Sequence, residues 1–305
     1  MIKKIIIFIF VIFYIVIGYE CSNRKEKAEK ISVVASILPL KDFTRQVGGK
    51  YVDVEVLVPP GSSPHTYEPT PAQLKRLSKA KLLVLNGIGL EYWDDKVIKS
   101  VKNPDLMVIY TAEGLDIINE LHPGKENSAE KHEHTGGNPH VWLDPINAIH
   151  QVEMICTALV KIKPEYRDYF VTNKDNFVKE LRSLDEEFRA RLKHFTSRNI
   201  ITFHSGYDYF IRRYGLKKVA VLEEFPGKEP TPARLVSIIE LVRKYNIKAI
   251  FAEPQFPTKI AEVISSECGI KVAYLDPLGK DQDYSYIKLM RYNFSQLERF
   301  LKYEK

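Results

Sequence analysis

Four residues in this sequence carry side chains that bind metal ions and stand where a fold could gather them. His65 lies in Pro59-Pro-Gly-Ser-Ser-Pro-His-Thr-Tyr-Glu-Pro-Thr-Pro71, just past the apolar run Val52–Val58. His140 lies in Asn138-Pro-His-Val-Trp-Leu-Asp-Pro145. His204 directly follows the run Ile200–Phe203, and Asp276 follows Lys271–Leu275 and precedes Pro277. Three neutral imidazoles and one carboxylate suit a tetrahedral transition-metal site. Each residue also has a plain structural use. A histidine at a strand end can serve only as a hydrogen-bonding group, and an aspartate before proline can cap a turn. What weighs toward metal is coincidence: three of the four follow predicted strands, at the sheet edge where open α/β folds bind ligands. Residue types alone leave both readings open.

The strands that would position them are short, β-branched and apolar. Ile31–Ser36, Val52–Val58, Lys81–Asn86 and Leu106–Tyr110 form one series. Ile200–Phe203, Lys218–Leu222, Lys248–Ala252 and Lys271–Leu275 form a second. They read as continuous apolar runs, as strands covered on both faces do. Helical patterns such as Thr70–Ser78 and Thr231–Tyr245 fall between them. The expected fold is α/β, with two lobes that each hold a roughly four-stranded parallel sheet flanked by helices.

Between the series, Pro164 to about Phe195 contains no glycine, and its only proline is the first residue, suited to a first helical turn. Tyr166, Phe170, Phe177, Leu181, Leu184, Phe188 and Leu192 trace one helical stripe. At 1.5 Å per residue, one helix there would be about 45 Å long and could run the length of both lobes as a rigid connector. The expected organisation is an N-terminal lobe over residues 31–162, a connecting helix over 163–195 and a C-terminal lobe over 196–305.

The 305-residue length suits two domains. The net charge of +6 is spread over mixed-sign segments, without the basic and aromatic clusters of a nucleic-acid surface, so no nucleic-acid partner is expected. Residues 1–21 read as an export or lipoprotein signal: Lys3 and Lys4, an apolar run Ile5–Ile17 too short to span a bilayer as a helix, then Cys21. Tyr19 and Glu20 stand where lipoprotein signals have small residues, which leaves an uncleaved signal anchor as the alternative. Both place the rest of the chain outside the cytoplasm, in the periplasm or anchored on the outer side of the membrane. Cys156 and Cys268 show no metal-type spacing and read as buried thiols. His122, His132 and His134 lie in a charged, glycine-containing loop over residues 121–138.

Six segments together resemble the solute-binding proteins of zinc and manganese ABC importers, the cluster A-I or cluster 9 family. They are Pro64-His-Thr-Tyr-Glu-Pro-Thr-Pro71, Asn138-Pro-His-Val-Trp-Leu-Asp-Pro145, Phe203-His-Ser-Gly-Tyr207, Glu229-Pro-Thr-Pro-Ala-Arg234, Phe251-Ala-Glu-Pro-Gln-Phe256 and Leu275-Asp-Pro-Leu-Gly279. The resemblance implies a metal held between two lobes by His65, His140, His204 and Asp276, with Glu253 supporting rather than ligating. It implies a non-enzymatic, monomeric carrier that hands its ion to an ABC permease. Manganese-type relatives carry Glu where His204 stands. A three-imidazole site is softer and favours Zn2+, with Mn2+ the alternative cargo of a manganese- or iron-type member. The His132/His134 loop is similar to a shortened metal-collecting loop of the zinc-type members.

Because the ligands bind deprotonated, affinity is expected to fall as pH drops through about 6.5. Release is expected from the permease prying the lobes apart or reordering one ligand-bearing loop. The competing readings are a zinc metalloenzyme, a surface adhesin and a carrier of organic metal chelates. Catalytic zinc keeps an open position beside three protein ligands, and His-Glu-x-x-His is absent from the sequence.

Overall fold

The computed structural model describes residues 29–119, 137–224, 229–280 and 284–302. The signal segment 1–21, with Cys21, and the loop histidines His122, His132 and His134 lie outside the described residues. The first series folds as β1 (Ile31–Ala35), α1 (Leu38–Gly48), β2 (Val52–Val56), α2 (Pro71–Leu77), β3 (Leu82–Leu85), α3 (Asp94–Val101) and β4 (Met107–Tyr110). Then come α4 (Pro145–Ile162) and α5 (Arg167–Leu192). The second series follows as β5 (Asn199–Thr202), α6 (Asp208–Tyr214), β6 (Lys217–Val221), α7 (Pro232–Lys244), β7 (Ala249–Ala252), α8 (Lys259–Cys268), β8 (Lys271–Tyr274) and α9 (Tyr286–Leu301). Among the described residues, no helix is long and apolar enough to cross a membrane.

The strands form two four-stranded sheets, ordered β2-β1-β3-β4 and β6-β5-β7-β8. Every pairing is parallel. The eight apolar runs of the sequence account for the eight strands of these sheets. The inner strands β1, β3, β5 and β7 are largely buried, as strands covered on both faces are, while the edge strands β2, β4, β6 and β8 are partly exposed. In each sheet the order reverses next to the first strand, so the β1/β3 and β5/β7 edges are the switch points where such sheets hold ligands. Local signals start the helices. Thr70 accepts from Gln73 N while Gln73 reaches back to Thr70 N, a reciprocal cap before α2. Asp144 accepts from Ile146 N ahead of Pro145 and so caps α4.

The long apolar stripe lies on α5, which buries Phe170, Phe177, Leu181, Leu184, Phe188 and Leu192. Its first turn differs from the expectation of one continuous helix. Pro164–Tyr166 winds as a separate 3-10 turn before the α-helix begins at Arg167. The helical core of 26 residues is thus about 39 Å long. The stripe packs into one continuous apolar core fed by both sheets and by α1, α4, α5 and α9. Phe188 stacks on Phe294 with centroids 4.2 Å apart, and Phe43 of α1 meets Tyr286 of α9 edge-on at 4.9 Å.

Polar ties run beside that core. Asp42, in α1, accepts Tyr286 N at 2.9 Å. Tyr286 Oη donates to the Trp142 carbonyl at 2.7 Å, and Trp142 Nε1 donates to the Pro277 carbonyl at 2.8 Å. Arg213 Nε sits 2.8 Å from both Asp144 oxygens. Two sheets sharing one core and this set of bonds have little freedom to swing apart as rigid bodies. Cys156 is a buried free thiol and Cys268 a partly buried one. His150 bonds the Glu113 carbonyl, a structural use.

Candidate metal centre

His65 sits on the loop between β2 and α2. Gln73 Nε2 anchors the loop's start by donating to the Leu57 carbonyl at 2.6 Å, and Tyr67 Oη donates to Gln73 Oε1 at 2.8 Å. The His65 ring itself is only partly buried, and its Nδ1 has no partner among the described residues. His140 opens the 3-10 turn Val141–Leu143 and is 4% exposed. Its approach is fixed at the β1/β3 switch point, where Asn86 Nδ2 donates to the Pro139 carbonyl at 2.8 Å. His204 lies two residues past the end of β5, equally buried, and precedes the 3-10 turn Ser205–Tyr207. Gly206 in that turn has to be glycine. A Cβ there would lie 2.8 Å from His204 Cε1, displacing that ring, while meeting His140 Cδ2 at an ordinary contact distance of 3.5 Å.

The three histidines converge. His140 Nε2 lies 3.0 Å from His65 Nε2 and 3.1 Å from His204 Nε2. Ligand atoms of all three lie within 4.8 Å of one another. Zinc–nitrogen bonds of 2.0–2.1 Å in a tetrahedron put ligand nitrogens about 3.3 Å apart, close to this spacing. Hydrogen bonds behind the rings assign the tautomers. His140 Nδ1 lies 2.8 Å from Asn138 Oδ1, and His204 Nδ1 lies 2.6 Å from Glu253 Oε1. Both partners are oxygens that take the Nδ1 proton, so neutral His140 turns a bare Nε2 into the cluster, and Nε2 of His204 faces it. Three ring nitrogens converging this closely are placed to share one cation. This is the strongest sign that the cluster is a ligand set and not a packing accident.

Burial keeps the His65 and His140 rings neutral. Desolvation, with the neighbouring His204 adding to it, pushes His65 down to about 3. Burial first, then His204 and His65, hold His140 well below its ordinary value. The window in which protons compete for these two nitrogens therefore lies below the range near 6.5 that free imidazoles imply. Stability should respond with a definite sign. An unfolded chain protonates these histidines below about pH 6.5, while the folded one resists until far lower, so the unfolded state binds more protons in between. Metal-free protein should lose about 1.4 kcal/mol per pH unit for each such histidine as pH falls from 6.5 toward 4. Guanidinium melts at pH 7, 5.5 and 4 read this directly. A His65→Gln, His140→Gln variant should show a shallower slope.

Asp276 stands apart from the trio. The set of mutually close ligand atoms contains the three histidines and not Asp276. Its Oδ1 accepts from Leu278 N at 3.1 Å, Gly279 N at 2.9 Å and Gln255 Nε2 at 2.9 Å, the pattern of a capped Asp-Pro turn. Oδ2 takes no bond among the described residues. Asp276 also borders a neighbouring cavity of about 660 Å³ that none of the three histidines lines. The space beside the histidines is about 10 Å³, roofed by Pro64, Trp142, Phe256 and Leu278. It is ion-sized and admits no organic chelate. Asn138, Trp142 and Asn86 were not singled out from the sequence as parts of the site. Their one sequence signal is closeness to His140, or to the end of a strand.

The profile of the family described as "Zinc-uptake complex component A periplasmic" (ZnuA) matches residues 33–300. The chain is 29% identical over 291 residues to the high-affinity zinc uptake system protein ZnuA of Bacillus subtilis (strain 168), covering 90% of this chain and 89% of that one. It is 30% identical over 287 residues to the zinc-binding lipoprotein AdcA of Streptococcus pneumoniae (strain ATCC BAA-255 / R6), covering 92% of this chain but 57% of that longer protein. A crystal structure of ZnuA superposes with a TM-score of 0.79 at 32% identity, over 89% of this chain and 99% of that one.

Proposed function

The chain belongs to the ZnuA family of periplasmic zinc-uptake components, and from that premise we propose that His65, His140 and His204 hold its cargo Zn2+ between the two sheets. The protein is an extracytoplasmic solute-binding protein of a zinc importer, not an enzyme, and its partner is an ABC permease. The convergence of the three rings, with His140 Nε2 3.0 Å from His65 Nε2 and 3.1 Å from His204 Nε2, carries the ligand assignment. Asp276 is the fourth ligand in this reading, with Oδ2 turning toward the ion while Oδ1 keeps the turn closed. The lobes are residues 31–162 and 196–305, joined by 163–195, and the carrier acts as a monomer without nucleic acid.

Uptake and release differ in which ligand moves. His140 and His204 are each held from behind by a buried side chain. Among the described residues His65 is not, and it rides on a loop whose side-chain hydrogen bonds lie at its two ends. The shared core and the Trp142, Tyr286 and Arg213 bonds oppose wide opening of the lobes. Zn2+ therefore meets a preformed pair of imidazoles and is closed in by His65. Withdrawal of the His65 loop at the permease reverses the step.

Cells that depend on this protein for zinc, given the His65→Ala, His204→Ala double variant, should fail to grow in chelated medium. Added Zn2+ should restore growth, and added Mn2+ should not. Unimpaired growth, or rescue by Mn2+ alone, would sink the zinc-carrier reading.

A further inference from the structure

We propose that Asn138 is the positioning residue of this site, setting the tautomer of His140 and its distance from His204; the proposal rests on both histidines being ligands. Asn138 is wholly buried. Its Oδ1 accepts the His140 backbone N–H at 3.0 Å and faces His140 Nδ1 at 2.8 Å. Its Nδ2 donates to the Ser205 carbonyl at 2.7 Å. The Asn138 backbone is held as well: N donates to the Ile118 carbonyl at 2.8 Å, and its carbonyl accepts Tyr209 Oη at 2.7 Å.

These bonds assign themselves. A backbone carbonyl can only accept, so the amide nitrogen must face Ser205 and the amide oxygen must face His140. Oδ1 can only accept, so His140 Nδ1 carries the proton and Nε2 is left bare. No other described group reaches His140 Nδ1. The far end of the amide grips the residue directly after His204, at the head of the turn whose Gly206 lies against both rings. One side chain thus spans the two lobes and ties a ring from the first to the backbone beside a ring from the second. A partner chosen only to fill space would need neither the amide's donor nor its acceptor.

The test uses the full chain with Asn138→Ala, Asn138→Asp and a His140→Ala control. Zinc affinity is read by chelator competition, and imidazole tautomers by nitrogen-15 correlation spectra of the metal-free protein. Asn138→Asp keeps an acceptor for Nδ1–H but turns an oxygen toward the Ser205 carbonyl. It should retain the wild-type tautomer and lose about tenfold in affinity. Asn138→Ala should bring Nε2–H into the His140 spectrum and lose about a hundredfold. A folded Asn138→Ala with Nε2 still bare and affinity within about threefold of wild type would overturn the proposal. Should that variant not fold, wild-type affinity in Asn138→Asp overturns it instead. Undiminished zinc binding by His140→Ala would strike the ligand reading, a separate failure.

Discussion

Replacing His140 with alanine will weaken zinc binding by about two to three orders of magnitude while leaving the chain folded. A structural zinc site is worth about 10–16 kcal/mol over its four ligands, so one imidazole accounts for roughly 3 kcal/mol. In the proposed site His140 is central: its Nε2 is within 3.1 Å of both other nitrogens, so losing it also removes the atom that relates His65 to His204. The metal-free fold should change by no more than about 1–2 kcal/mol. Deleting the ring opens a small void beside Trp142. Chelator competition paired with a denaturation curve separates the two effects. Affinity within tenfold of wild type would take His140 out of the site.

The second large effect falls on Trp142, which holds no metal. Its indole is fully buried, with its ring centroid 5.2 Å from that of His140, and its Nε1 donates to the Pro277 carbonyl in the turn that carries Asp276. Trp142→Ala should cost about 3–5 kcal/mol, lowering Tm by about 10 °C. It should weaken zinc binding too, since the wall behind His140 is gone. Trp142→Phe keeps most of the packing and strands one buried carbonyl, so it should cost about 1–2 kcal/mol. Guanidinium melts with chelator present measure both. An alanine variant within 1 kcal/mol of wild type would mean that the lobes do not depend on this contact.

The contrast between these residues shows how the site is legible in the chain. His140 and Trp142 are two positions apart in one motif, yet only the histidine announces chemistry by its type. The tryptophan's importance depends on Pro277, far along the chain and opposite it in space. Asp276 shows the reverse. Its type and its place after β8 mark it as a ligand, but its Oδ1 is committed to the turn it begins.

Local pattern alone already specifies a good deal here. Eight apolar runs name the eight strands of the two sheets, a stripe from Phe170 to Leu192 names the long helix, and three histidines stand just past strands or in a proline-bounded turn. Burial and periodicity are short-range properties, and sequence records short-range properties directly. The partners behind the ligands are different. Glu253 meets His204 because β7 lies beside β5, and Asn138 reaches Ser205 because the shared core presses the two lobes together. Such pairs, 49 and 67 residues apart, obey no spacing rule. Strand order and packing bring them together, and neither exists until the chain has folded.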